Sequence, residues 1–197
     1  MGSLPRRRFL AILAPSLLLP RGWAAGPFDL KARGTVIMLR HAYAPGIGDP
    51  AGFDLADCHT QRNLSDEGRT QARALGAQLR AAGLSPTTRV FTSPWCRCRE
   101  TARLLGLEAS IVLEALSSFF ARSEETDRIM TALREFLRRL PTDGPPIVMV
   151  THQVNLSALT DEFMQSGEGV VLRLTGTREP IVVGKWQSRR DSDEKQP

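Results

Sequence analysis

Two of the three histidines in this chain, His41 and His152, each stand at the end of an apolar run, and arginines accompany them. His41 follows Thr35-Val36-Ile37-Met38-Leu39-Arg40, and His152 follows Pro146-Ile147-Val148-Met149-Val150-Thr151. A shorter run, Arg89-Val90-Phe91-Thr92, leads through Ser93-Pro94 to Arg97. Taken singly, a histidine after a strand is more often a structural hydrogen-bonder, and an arginine on a first helical turn is usually solvated surface. Together they have one coherent chemistry. A neutral imidazole nitrogen can attack phosphorus, nearby arginines lower its pKa, and their planar forks bind phosphate oxygens in pairs. Phosphoryl transfer needs mainly positioning and charge compensation, which Arg40, Arg97 and a second imidazole can supply without a metal. No carboxylate-rich metal motif is visible in the sequence, and no cofactor is expected.

The elements that position these residues follow from hydrophobic pattern. Continuous apolar runs with β-branched members read as strands buried on both faces of a parallel sheet. Residues 44–60, rich in Pro, Gly and Asp, carry no helical period and read as a long loop. Ser65 is a good N-cap, Asp66 and Glu67 suit a helix start, and Ala72, Leu75, Leu79 and Ala82 recur at helical spacing before the Gly83 stop. Residues 95–105 read as a second helix with Arg97 in its first turn, and 123–140 as a third, ended by Pro141. Val170–Leu174 and Ile181–Val183 form a final pair of strands around Thr175-Gly176-Thr177. Alternating strands and helices imply a three-layer α/β/α sandwich with a mainly parallel central sheet, and no internal repeat is present. In such sheets ligands bind beyond the carboxyl ends of the strands, where Arg40, His41, Arg97 and His152 all fall.

The bulk composition fits one globular unit: 197 residues, 42% hydrophobic and 24% charged. A net charge of +5 would suit a polyanionic partner, but Arg6, Arg7, Arg8 and Arg21 lie in the first 24 residues, and without them the balance is about +1. Nucleic acid is therefore not an expected partner. Residues 1–25 read as an export signal: a basic stretch, an apolar run from Phe9 to Leu19 broken by Pro15, then small residues around Ala24. Arg6-Arg7-Arg8-Phe9-Leu10 is similar to a twin-arginine signal, which implies export of a folded protein to the bacterial periplasm. An uncleaved anchor is the alternative, although the run is well short of the ~20 residues that span a bilayer. Membrane contact is expected only through this signal. Residues 188–197 read as a disordered polar tail. Cys58, Cys96 and Cys98 are an odd count for an exported chain. Cys58 bonded to Cys96 or to Cys98 is favoured over a tight 96–98 ring, with three free thiols as the alternative.

Leu39-Arg40-His41-Ala42 resembles the Arg-His-Gly or Arg-His-Ala signature of the histidine phosphatase superfamily, branch 1, which includes the phosphoglycerate-mutase-like enzymes. Leu64-Ser65-Asp66-Glu67-Gly68-Arg69-Thr70-Gln71-Ala72 is similar to the family's Leu-Thr-x-x-Gly-x-x-Gln-Ala segment. The segment from Thr92 through Ser93-Pro94 and Arg97 to Thr101-Ala102 is similar to its Ser-Ser-Pro-x-x-Arg-x-x-x-Thr-Ala segment, and Val150-Thr151-His152 to its late strand-His element. The resemblance covers residues 35–174 and implies a phosphoglycerate-mutase-like domain over 33–187.

Carried onto these positions, the resemblance implies a phosphohistidine formed on His41, with Arg40, Arg97 and His152 around the phosphate, and water attacking the bound phosphate. It also implies a carboxylic acid that protonates the leaving oxygen. Glu114 sits where many members carry this acid, but Ser117-Ser118-Phe119-Phe120 replaces the usual context, and Glu168 is the substitute. Arg62, Asn63, Gln153 and Asn155 are candidate substrate contacts, with loop bracing or helix capping an equal account of each. The expected function is an exported, metal-independent phosphomonoesterase acting on a phosphorylated small molecule, an envelope phosphosugar included. The alternative is a non-catalytic phosphate-binding or envelope-interaction protein on the same fold. A cysteine-based phosphatase has little support, because neither Cys96 nor Cys98 lies in a Cys-x5-Arg loop.

Overall fold

The computed structural model describes residues 29–187; the readings of 1–25 as an export signal and of 188–197 as a tail fall outside the described residues. The first apolar run becomes β1 (Thr35–Arg40), buried along residues 35–39, as a strand covered on both faces must be. It is joined by β2 (Val90–Thr92), β3 (Ile111–Val112), β4 (Ile147–Thr151), β5 (Gly169–Arg173) and β6 (Ile181–Trp186) in the order β3-β2-β4-β1-β5-β6. The pairings from β3 to β1 are parallel, and β5 runs antiparallel to both β1 and β6. The sheet is thus mixed, with its parallel part built from the strands that carry the candidate chemistry.

Among the described residues four α-helices cover the sheet: α1 (Asp66–Ala81), α2 (Cys96–Leu104), α3 (Thr126–Arg139) and α4 (Gln153–Thr160). The Ser65 hydroxyl accepts the Gly68 N–H at 3.1 Å, capping α1 where Asp66 and Glu67 face the positive end of the helix. Gly83, at φ +97°, closes it in a conformation that a side chain would resist. Along β1 the side chains alternate between layers. Val36 and Met38 pack with Ile129, Leu133 and Leu137 of α3, whereas Ile37 and Leu39 pack with Leu75 and Leu79 of α1 and Ala102 of α2. This period-two alternation of large apolar groups makes the three layers. Two elements have little sequence signal. The strand β3 is two exposed residues, and α4 is one eight-residue helix closed by Asp161 at φ +58°. Among the described residues no helix is long and apolar enough to cross a membrane.

Cys58 and Cys96 form a disulfide with Cα atoms 5.7 Å apart, and Cys98 is a buried free thiol. The bond ties the 44–60 loop to the first residue of α2, beside Arg97. Its closed loop spans 38 residues, for which chain entropy gives about 4 kcal/mol. Replacing both Cys58 and Cys96 with serine is expected to lower the unfolding free energy by about 2–4 kcal/mol in urea titrations. A loss within error of zero would mean that packing alone fixes the loop.

Candidate active site

Strand register brings the predicted residues together. Arg40 pairs with Thr151 across β1 and β4, the His41 N–H donates to the Thr151 carbonyl at 2.9 Å, and the Ser93 N–H donates to the Val150 carbonyl at 3.0 Å. His41, Ser93 and His152 therefore leave three adjacent parallel strands at one level. Two motif segments hold the chain after His41. The Thr101 hydroxyl accepts the Ala42 N–H at 3.0 Å and donates to the Arg97 carbonyl at 2.7 Å. Gln71 accepts the Tyr43 N–H at 2.8 Å and donates to the Ser166 carbonyl at 2.7 Å. A Cβ at Gly68 would stand 1.9 Å from the Tyr43 carbonyl oxygen, so only glycine permits this approach. The recognisable residues outside the strands are thus the supports of the histidine loop.

Arg40, His41, Arg97 and His152 line one cavity of about 760 Å³, together with Arg62, Gln153 and Asp49. His41 Nδ1 lies 2.7 Å from the Ala42 carbonyl oxygen, which can only accept, so Nδ1 carries the proton and Nε2 keeps its lone pair. Burial, then the Arg97 charge, with smaller help from Arg62 and Arg40, pushes the His41 pKa down to about 3. The imidazole is thus neutral at physiological pH, the state a nucleophile needs. The His152 ring stands edge-on to it, with centroids 5.5 Å apart. Arg97 can only donate, so His152 Nδ1 accepts from it at 3.5 Å and His152 Nε2 donates to the Ser93 hydroxyl at 2.8 Å. Burial and then Arg97 hold the His152 pKa well below its usual value.

The arginines are fixed by backbone groups. Arg40 donates to the Met164 carbonyl at 2.8 Å, and Arg62 to the carbonyls of Gly48 at 2.7 Å and Ala44 at 2.5 Å. Arg40 Nε and Arg97 Nε are buried without a hydrogen-bond partner among the described residues. Arg97 grips the carboxylate of Asp49 with both terminal nitrogens, at 2.7 and 3.1 Å. Trp95 Nε1 at 3.0 Å and the Arg62 N–H at 3.1 Å complete that carboxylate's partners. Burial raises the Asp49 pKa, but its hydrogen bonds and the Arg97 charge outweigh it and hold the group below the ordinary carboxylate range.

The remaining expectations divide. Arg62 and Gln153 reach the cavity, yet the Gln153 amide is already used on the Ser157 hydroxyl at 2.7 Å, the Glu162 carbonyl at 3.2 Å and the Met164 N–H at 2.9 Å. Asn63 donates to the Cys58 and Gln61 carbonyls at 2.6 and 3.1 Å, and the fully buried Asn155 to the Ser117 carbonyl at 3.0 Å. Neither lines the cavity; both brace backbone. Glu114 accepts the Ser117 hydroxyl at 3.3 Å, and Glu168 accepts the Gln165 N–H at 2.8 Å; these carboxylates too are outside the cavity lining. Asp49 and Trp95 are the residues that sequence reasoning overlooked. Asp49 sits within the unpatterned Gly48-Asp49-Pro50 stretch of the loop, where no period marks it. Burial pushes the Cys98 thiol up to about 12, and Cys96 is disulfide-bonded, so neither offers a ready thiolate. Among the described residues no group of three or more His, Cys, Asp or Glu is placed to hold a metal ion.

Residues 36–119 match the profile of the histidine phosphatase superfamily (branch 1). No curated protein sequence matches the chain. The fold is shared with solved structures at low identity. The protein histidine phosphatase SixA complexed with tungstate is 16% identical, with a TM-score of 0.54 over 78% of this chain and 97% of that one. A candidate alpha-ribazole-5'-P phosphatase from Escherichia coli K-12 is 14% identical, with a TM-score of 0.57 over 79% and 97%. Phosphoserine phosphatase from Entamoeba histolytica, in complex with 3-phosphoglyceric acid, is 12% identical, with a TM-score of 0.51 over 79% and 98%. The profile match takes in His41 and Arg97, and His152 lies beyond it on the neighbouring strand end. Over residues 36–119 the chain thus resembles the histidine phosphatase superfamily, branch 1, and the fold it shares is that of solved histidine-type phosphatases.

Proposed function

We propose that the chain is an exported phosphomonoesterase that works without a metal through a phosphohistidine on His41. The observation that carries this reading is the neutral His41 ring, with Nδ1 tied to the Ala42 carbonyl and Nε2 left free in a cavity shared with Arg40, Arg62 and Arg97. Nε2 attacks phosphorus as the bond to the leaving oxygen breaks, and Arg40 and Arg97 compensate the phosphate charge. Water then attacks the phosphohistidine, releasing inorganic phosphate and returning the imidazole. The guanidinium charge takes the part that a metal would otherwise play.

Export rests on the arginine-led N-terminal sequence and is supported by the Cys58–Cys96 bond, since disulfides persist in oxidising compartments such as the periplasm. The cavity mouth bears on the substrate. Ile47, Phe120 and Phe163 line it while 88%, 59% and 63% exposed. Large apolar groups standing open at a site favour a leaving group with apolar or aromatic surface over a bare phosphosugar.

Hydrolysis of p-nitrophenyl phosphate by the purified protein, with a chelator present, tests the reading. Chelator-resistant turnover, faster in kcat/KM than with a hexose phosphate, is expected. The second reading, a non-catalytic phosphate binder, draws on the exclusion of Glu114 from the cavity lining. Phosphate binding with no turnover of any ester would favour it.

A further inference from the structure

Asp49 and Asp54 are the carboxylates among the residues that line the cavity. Asp54 spends its carboxylate on its own turn, accepting the Ala56 N–H at 2.9 Å. Asp49 is placed differently. Its side chain is 8% exposed against an Arg97 side chain 3% exposed, and its two oxygens fill the guanidinium fork. That paired geometry is the one a guanidinium offers two phosphate oxygens. A phosphate on that edge of Arg97 and Asp49 in its present place therefore exclude each other, so a substrate that takes the two terminal nitrogens displaces the carboxylate.

Displacement changes the chemistry of Asp49. Losing the guanidinium removes the charge that favours its ionised form, and gaining a phosphate anion as neighbour favours the protonated form further. A phosphate monoester entering as its monoanion brings the proton that the carboxylate then accepts.

We propose that Asp49 is the general acid of the phosphatase, held as a carboxylate on Arg97 in the free enzyme and freed to protonate the leaving oxygen when the substrate phosphate takes that fork. The proposal rests on the phosphatase reading above. In the first step His41 Nε2 forms a bond to phosphorus, the phosphorus–oxygen ester bond breaks, and the alkoxide takes the Asp49 proton to leave as an alcohol. In the second step water gives its oxygen to phosphorus and one proton to the Asp49 carboxylate as the phosphorus–nitrogen bond breaks. Hydrogen phosphate departs, the proton left on Asp49 passes to it or to solvent as the carboxylate returns to Arg97, and His41 is neutral again.

The experiment compares Asp49→Asn with the unaltered protein across phosphate monoesters of rising leaving-group pKa, from p-nitrophenyl phosphate to an alkyl phosphate. A proton donor matters little when the leaving group is a stable anion and greatly when it is not. Loss in kcat/KM of about 10²–10³-fold with the alkyl ester but under ~10-fold with the nitrophenyl ester is expected. Tighter inhibition by inorganic phosphate is expected with it, because the internal competitor is gone. Equal losses across the series would mark Asp49 as a structural partner of Arg97 and overturn the proposal while leaving the phosphatase reading intact. If Asp49→Asn is inactive on every ester, Asp49→Glu decides: recovery of alkyl ester turnover supports the proposal, and persistent inactivity overturns it. An unaltered protein that turns over no ester removes both readings.

Discussion

His41→Ala lowers kcat/KM for p-nitrophenyl phosphate by at least ~10⁴-fold and leaves inorganic phosphate binding within about tenfold, the expected result if His41 is a nucleophile rather than a binding group. The expectation comes from how the ring is used. Nδ1 is committed to the Ala42 carbonyl, and the Nε2 lone pair is free for phosphorus. In the proposed reaction phosphate affinity comes instead from the guanidinium groups of Arg40 and Arg97. The same variant has a second readout. With its folded pKa near 3 against an ordinary value of about 6.5, His41 stays neutral in the folded chain while the unfolded chain takes up a proton. The unfolded state then binds more protons between those values, so stability falls as pH drops below about 6.5. At pH 5 this costs about 2 kcal/mol for one such group. His41→Ala is expected to lose about that much less stability than the unaltered protein between pH 7 and pH 5. Equal pH dependence of the two proteins would sink the claim that His41 is buried neutral. Turnover that survives the substitution would move the nucleophile elsewhere.

What the sequence makes legible follows the length of its patterns. The runs of β1 and β4 and the sixteen residues of α1 carry enough period to be read, and their ends mark the chemistry, because a strand that stops at the same edge as its neighbours delivers its last residue to that edge. His41 and His152 are visible for that reason. Two exposed residues in β3 and eight in α4 carry too little pattern. The antiparallel docking of β5 on β1 depends on register, which no local pattern states. Asp49 fails for another reason. A carboxylate in a Gly-Pro loop reads as solvated, and only the folded loop, held by Arg62 and by the Cys58–Cys96 bond, carries it onto Arg97. Glu114 shows the converse: its place in the family pattern points to the acid, but the backbone turn around it gives the carboxylate to Ser117.

Arg97 is where catalysis and stability meet, and its substitutions separate the two. Arg97→Ala removes the phosphate fork and is expected to lower kcat/KM by about 10³–10⁵-fold, the range seen when a guanidinium that stabilises a transferring phosphoryl group is lost. Arg97→Lys keeps the charge and loses the paired geometry, so an intermediate loss of about 10²-fold is expected. Arg97→Ala also leaves Asp49 buried beside an absent partner. Breaking a buried ion pair by removing one member typically costs 3–5 kcal/mol, whereas replacing both members is far milder. Urea unfolding of Arg97→Ala, Asp49→Asn and the double variant should therefore show the double variant more stable than Arg97→Ala alone by about 2 kcal/mol or more. Activity should not return with that stability, since restoring the balance of charge does not restore the fork. Additive losses across the cycle would mean that the two side chains do not share a buried pair in solution. Recovery of turnover in the double variant would mean that Arg97 serves to neutralise Asp49 and does not hold the phosphate.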